Sequence, residues 1–315
     1  MFQTLADSSS EDHIDLHVTI ADKYRLKEKI GEGSFGEVYA GYDIKTNHPV
    51  AIKIAIKNRE KNLVSEADLY NHLNFNATRS LDGTNAIAIA TSLTAGTDAT
   101  GIPKMYWAGY DGEYYFLVLE KLGDSLQDLI RHQPDRVFKI ATVATIACQG
   151  LRMLEYIHHC GIIHRDMKPS NFLFGINRKR NQLYLVDFGL AKYYRDLETN
   201  EHLPDEAKRR LVGTAKFVSS NVHNGQESSR RDDLESFGYV LIYLARGELP
   251  WGVFNDSDKA IRYDKIKKMK SRMPLTQICK GLPNQFLTYL QYCRALDYDS
   301  DPNYRYLRSI FALLK

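Results

Sequence analysis

His164-Arg165-Asp166-Met167-Lys168-Pro169-Ser170-Asn171 decides how the rest of the chain is read, together with Asp187-Phe188-Gly189, sixteen residues after Asn171. Between these two polar segments lie only two short apolar runs, residues 173–175 and 182–186, each with the length of a strand. Towards the N-terminus, residues 24–30, 37–42 and 50–56 read as strands separated by Gly-containing turns. Residues 104–110 and 114–119 read as two more, joined at Asp111-Gly112. Residues 63–73 place Leu63, Ala67, Leu69 and Leu73 at helical spacing. Towards the C-terminus helices dominate, at residues 125–132, 139–159, 233–246, 284–295 and 304–314. The expectation is an α+β chain in two lobes. A small antiparallel-sheet half with one main helix (23–122) precedes a larger helical half (123–315), with a cleft between them.

The 315 residues include 42 Lys and Arg against 39 Asp and Glu, a net charge of +3. So small a surplus excludes binding of nucleic acid through bulk charge. The longest apolar run, near residues 239–245, falls far short of the ~20 residues of a membrane-spanning helix. Residues 1–10 offer neither a basic segment nor a long apolar one, so no secretory leader is expected. Cys148, Cys160, Cys279 and Cys293 show no CxxC pairing, which suits reduced thiols in a cytoplasmic or nuclear protein. Residues 1–22 contain five acidic residues and no Lys or Arg, and read as a flexible acidic extension. Residues 74–102 form an insert rich in Thr, Ala, Ser and Gly, longer than the ~12–15 residues usual for a loop. Within it residues 86–90 fit a strand or a short helix equally. Its Asn76-Ala77-Thr78 matches a glycosylation acceptor, a match read as chance in a chain expected to lack a leader.

Gly31-Glu32-Gly33-Ser34-Phe35-Gly36-Glu37-Val38 lies between two strand-like runs. A dinucleotide-binding turn uses the same letters but runs from strand into helix, whereas here a strand continues. Two readings remain: a Gly-rich hairpin, or a flap whose N–H groups approach phosphate. Lys53 stands seventeen residues after Gly36 on the apolar run Val50-Ala51-Ile52-Lys53. An interior ammonium needs a partner, and Glu66 on the following helix is the candidate. A strand-end lysine reaching solvent is the plainer alternative.

With these segments in order, the sequence resembles the eukaryotic protein kinases, and the resemblance supplies roles. Transfer of the ATP γ-phosphate needs oxygen ligands for Mg²⁺, matched here by Asn171 and Asp187. Asp166 matches the carboxylate that takes the proton of the attacking hydroxyl, and Lys168 the charge beside the γ-phosphate. Lys53 would bridge Glu66 to the nucleotide phosphates. Gly31, Gly33, Ser34 and Gly36 match the phosphate flap. Ile30, Val38, Ala51, Leu119, Leu173 and Val186 match the adenine pocket, with main-chain bonds at Glu120 and Leu122. Lys168-Pro169-Ser170-Asn171 resembles the serine/threonine enzymes.

Leu122-Gly123-Asp124-Ser125-Leu126, Gly213-Thr214-Ala215-Lys216-Phe217 and Ser229-Arg230-Arg231-Asp232-Asp233-Leu234-Glu235-Ser236 are similar to casein kinase 1, as is the tail Pro302-Asn303-Tyr304-Arg305-Tyr306-Leu307. Asp124, Lys216, Phe217 and the long insert depart from that family. The resemblance implies two anion sites, one from Lys216 and Arg262 near Gly252, the other from Arg165, Lys192 and Arg209. It also implies protein substrates with acidic or phosphorylated residues upstream of the target Ser or Thr, and a monomer. A non-catalytic scaffold of this fold is the rival reading. It predicts the loss of Lys53, Asp166, Asn171 or Asp187, and all four are present.

Overall fold

Alternating apolar residues build the first part of the chain into one sheet. The computed structural model describes residues 19–33, 36–79, 101–206 and 211–315. Strands β1 (Thr19–Ile20), β2 (Tyr24–Gly33), β3 (Gly36–Asp43), β4 (Pro49–Ile56), β5 (Met105–Asp111) and β6 (Tyr114–Glu120) pair in the order β1-β2-β3-β4-β6-β5. Because side chains alternate across a strand, the register sorts them by face. Tyr39 opposes Ile52, and Ile54 opposes Phe116; these join Ile20, Tyr24, Leu26, Val50 and Val118 in one buried cluster. Ile20 is fully buried and pairs with Tyr24, so the acidic lead-in is ordered at its end. Residues 1–18 lie outside the described residues.

Helix α1 (Lys61–Arg79) runs six residues into the expected insert. Asn74 ties the far side of that insert back to the helix: its Nδ2 donates to Pro103 O (3.3 Å) and its Oδ1 accepts from Met105 N–H (3.0 Å). Residues 80–100, including the ambiguous 86–90, lie outside the described residues.

The larger part is helical: α2 (Leu126–Arg131), α3 (Ile140–His159), α4 (Ser220–His223), α5 (Arg230–Arg246), α6 (Lys259–Arg272), α7 (Leu275–Ile278), α8 (Asn284–Ala295) and α9 (Tyr304–Ala312). α5 is buried along nearly its whole length and forms the axis of this core. It begins three residues ahead of the expected start because Ser229 and Asp232 cap it, Ser229 N–H donating to Asp232 Oδ2 at 2.9 Å. One short pair was not foreseen from apolar runs alone. β7 (Ile162–Ile163) pairs with β10 (Lys192–Tyr193), while the expected β8 (Phe172–Phe174) and β9 (Leu183–Leu185) pair with each other. The described residues divide into two compact units, one up to Leu63 with Tyr106–Lys121, the other Val64–Met105 with Leu122–Lys315. The antiparallel sheet followed by a helical part is the expected two-lobed α+β architecture.

Candidate active site

β7 delivers the chain into residues 164–171, and a carboxylate on α5 fixes the turn. Asp233 accepts the N–H of His164 at Oδ2 (2.7 Å) and that of Arg165 at Oδ1 (2.8 Å). His158 Nε2 lies 3.0 Å from the same Oδ2. Burial works to raise the pKa of Asp233, but the hydrogen bonds from the His158 ring and the His164 N–H outweigh it and hold the carboxyl below its ordinary range. Arg165 sits in left-handed backbone (φ 68°), a costly conformation for a non-Gly residue, and the two bonds to Asp233 hold it there. Its Nε donates to Leu190 O (2.6 Å), linking this loop to the segment after Asp187. His164 is fully buried. Its Nε2 meets Val186 O (3.0 Å) and its Nδ1 accepts the Asp166 N–H (3.3 Å), so the ring carries its proton on Nε2.

Asp166 is 6% exposed and both its oxygens are engaged. Lys168 Nζ donates to Oδ2 (2.6 Å); the Thr214 hydroxyl and N–H donate to Oδ1 (2.7 and 3.0 Å). Thr214 reaches it because Gly213 passes tightly over Arg165. A Cβ there would stand 2.4 Å from Arg165 O, and φ is 93°. Asn171, 3% exposed, donates Nδ2 to Asp166 O (2.9 Å), which leaves its amide oxygen for another ligand. Val186 N–H donates to Asn171 O (3.0 Å), so the strand leading to Asp187 is tied to Asn171. Asp187 itself is left-handed (φ 68°) and its N–H donates to the Tyr70 hydroxyl (3.2 Å). Phe188 is buried edge-on against Tyr70 and His164, with centroids 5.0 Å apart in each case.

Two oxygen ligands are too few for a free-standing metal site, and no cluster of three His, Cys, Asp or Glu occurs among the described residues. They suit a divalent ion that brings phosphate oxygens with it. Asn171 and Asp187 would hold such an ion, which would neutralise charge on the transferred phosphoryl group. The chain's own part would then be to orient an incoming hydroxyl at Asp166, where the Lys168 ammonium already stands 2.6 Å from Oδ2.

In the sheet unit, the face opposite the buried cluster carries Val38, Ala51, Lys53 and Leu119. Val38 opposes Lys53, and Ala51 opposes Leu119. Lys53 is 7% exposed, whereas Val38, Ala51 and Leu119 stay half-buried, leaving apolar surface for a flat ring. The glycine segment is a hairpin from β2 into β3, as the strand continuation required, with Gly33 opposite Gly36. Gly36 is demanded by the fold, since a Cβ would stand 2.1 Å from Ile54 O. At Gly31 a Cβ would make only ordinary contact, 3.8 Å from Val38, so the sheet alone does not require glycine there. Ile30 is exposed at the bulge between Lys29 and Gly31, and Ser34 lies outside the described residues. Glu120 ends β6, opposite Val50. In the helical unit Glu66 and Leu122 are buried, and Leu173 and Val186 half-buried.

The expected anion ligands are placed as follows. Lys216 sets its ammonium 4.1 Å from the Tyr243 ring centre, and burial holds its basicity below the ordinary value despite Glu248. Arg262, half-buried on α6, lies against Tyr263. Lys270, fully buried, joins their two elements: its ammonium donates to Ala215 O (2.8 Å) and Val218 O (2.6 Å). Lys192 is paired with the buried Glu227 (2.7 Å), and Arg209 lies outside the described residues. Thr214, Glu227 and Lys270 were not singled out from sequence. Only Thr214 carried a signal, its place in Gly213-Thr214-Ala215-Lys216-Phe217. A family model described as a protein kinase domain matches residues 24–298.

Proposed function

We propose that this chain, which belongs to the protein kinase family, is a serine/threonine kinase of the casein kinase 1 type. On this reading it uses ATP with Mg²⁺ and favours targets that follow acidic or phosphorylated residues. The observation that carries the reading is the Asp166 carboxylate, with the Lys168 ammonium 2.6 Å from one oxygen and Thr214 on the other. A hydroxyl presented there meets both a proton acceptor and a positive charge for the phosphoryl group. Substrate preference is argued from Lys216 and Arg262, carried by a segment and a helix that Lys270 clamps together. An upstream dianion held by these cations would fix peptide register at Asp166. A phosphate carries nearly twice the charge of a carboxylate, so primed peptides should outrank acidic ones.

The test pairs peptides with and without a phosphoserine three residues ahead of the target, locating the product by mass spectrometry. Phosphoserine or phosphothreonine is expected, with a preference for primed peptide of about tenfold or more. The Lys216→Ala/Arg262→Ala double variant should lose most of that preference and keep its rate on unprimed peptide. An equal fall on both peptides would place recognition elsewhere, and phosphotyrosine as the main product would overturn the class.

A further inference from the structure

The family match stops at residue 298, yet a contact begun six residues later leads to the catalytic loop. Tyr304 opens α9, and its hydroxyl lies 2.6 Å from His158 Nδ1 near the end of α3. His158 Nε2 lies 3.0 Å from Asp233 Oδ2, and Asp233 holds the N–H groups of His164 and Arg165. The donors and acceptors along this chain have one consistent assignment. A carboxylate can only accept, so Nε2 carries a proton; the imidazole is neutral, so Nδ1 is a lone pair; the Tyr304 O–H donates to it. Burial keeps both groups in these forms, His158 below its ordinary basicity and the Tyr304 hydroxyl with a pKa well above its ordinary value.

We propose that Tyr304 is a positioning residue of the active site, acting through His158 and Asp233 to hold the backbone of residues 164–166, and that the catalytic unit therefore extends through α9. Without the Tyr304 hydroxyl, Nδ1 loses its donor and can take the proton itself. That withdraws the Nε2 proton from Asp233 Oδ2, so the carboxylate that pins the left-handed Arg165 loses a bond. α9 is seated independently of this contact. Arg308 pairs with Glu155 on α3, and Leu307 and Phe311 are fully buried. Arg230 at the start of α5 pairs with Asp301, which fixes the segment leading into the helix.

Tyr304→Phe keeps the ring and removes the hydroxyl. In the full chain it should lower kcat by about tenfold, the size of one buried hydrogen bond, with KM for ATP and peptide unchanged. Arg308→Ala, which loosens α9 without touching His158, should keep kcat at temperatures well below its melting point. In a His158→Gln background the further effect of Tyr304→Phe should vanish, because Tyr304 would act only through the imidazole. Additive losses, or an unchanged kcat in Tyr304→Phe, would overturn the proposal. Should that variant fail to fold, ¹⁵N NMR of the His158 ring in the unmutated chain decides, independently of any activity. A proton on Nε2 and none on Nδ1 supports the chain of bonds, and a proton on Nδ1 overturns it.

Discussion

A carboxylate proposed to accept a proton from a passing hydroxyl has to be held in one orientation, and Asp166 is held from both sides. Lys168 is two residues away and was legible as part of a contiguous motif. Thr214 is 48 residues away, and only folding brings it to Oδ1. Thr214→Val conserves shape and leaves the backbone N–H in place. Its expected effect is a fall in kcat of about tenfold with peptide KM unchanged, the loss of one hydrogen bond to a charged group. Steady-state kinetics check this, and an unaltered kcat would reduce Thr214 to packing. Asp166, Lys168, Asn171 and Asp187 stood out as candidates in the sequence because they are concentrated in two short segments. Glu227 could not: its link to Lys192 spans 35 residues and two elements. Nothing in the sequence separates Lys270 from its neighbours Lys267 and Lys268, and its burial with bonds to Ala215 O and Val218 O is a tertiary fact.

Helix α6 shows why one whole element escaped the sequence. Its residues Lys259–Arg272 are polar almost all round, only Ile266 and Lys270 are buried, and no apolar stripe announces a helix. β7 and β10 escaped for another reason, since two residues each are too few for a period. Strands β2 to β6 of the sheet and helices α2, α3 and α8 were legible because their apolar spacing matches the faces they bury, whereas β1, two residues at the end of the acidic lead-in, was not. α4 and α6 meet where His223 packs edge-on to Tyr263, and this contact has a pH signature. Burial, helped by the nearby Lys270 charge, lowers His223 from the ordinary 6.5 to about 4. Between those values the unfolded chain takes up a proton that the folded chain refuses, so stability falls as pH falls from 6.5 towards 4. At pH 5 the contribution is at most about 2 kcal/mol. Urea unfolding at pH 7.5 and pH 5 should show a smaller difference for His223→Phe than for the unmutated chain. Equal differences would mean that His223 stays solvated.

At the scale of the molecule, each unit is matched to a separate task. The sheet buries one face and leaves Val38, Ala51 and Leu119 half-covered on the other beside Lys53; the helical unit uses the buried α5 to fix the catalytic loop. The family and the two-lobed architecture agree with what two short motifs implied, and the proposed choice of substrate is argued from cations whose geometry no sequence pattern could specify. The central claim is that Asp166 performs phosphoryl transfer to a protein hydroxyl. The most direct measurement is single-turnover transfer from ATP to a serine peptide, with Mg²⁺, by the full chain and by Asp166→Asn. The unmutated chain should form phosphoserine, and Asp166→Asn should be slower by orders of magnitude at an unchanged melting temperature. Near-equal rates in the two proteins, or no transfer by the unmutated chain, would contradict the account.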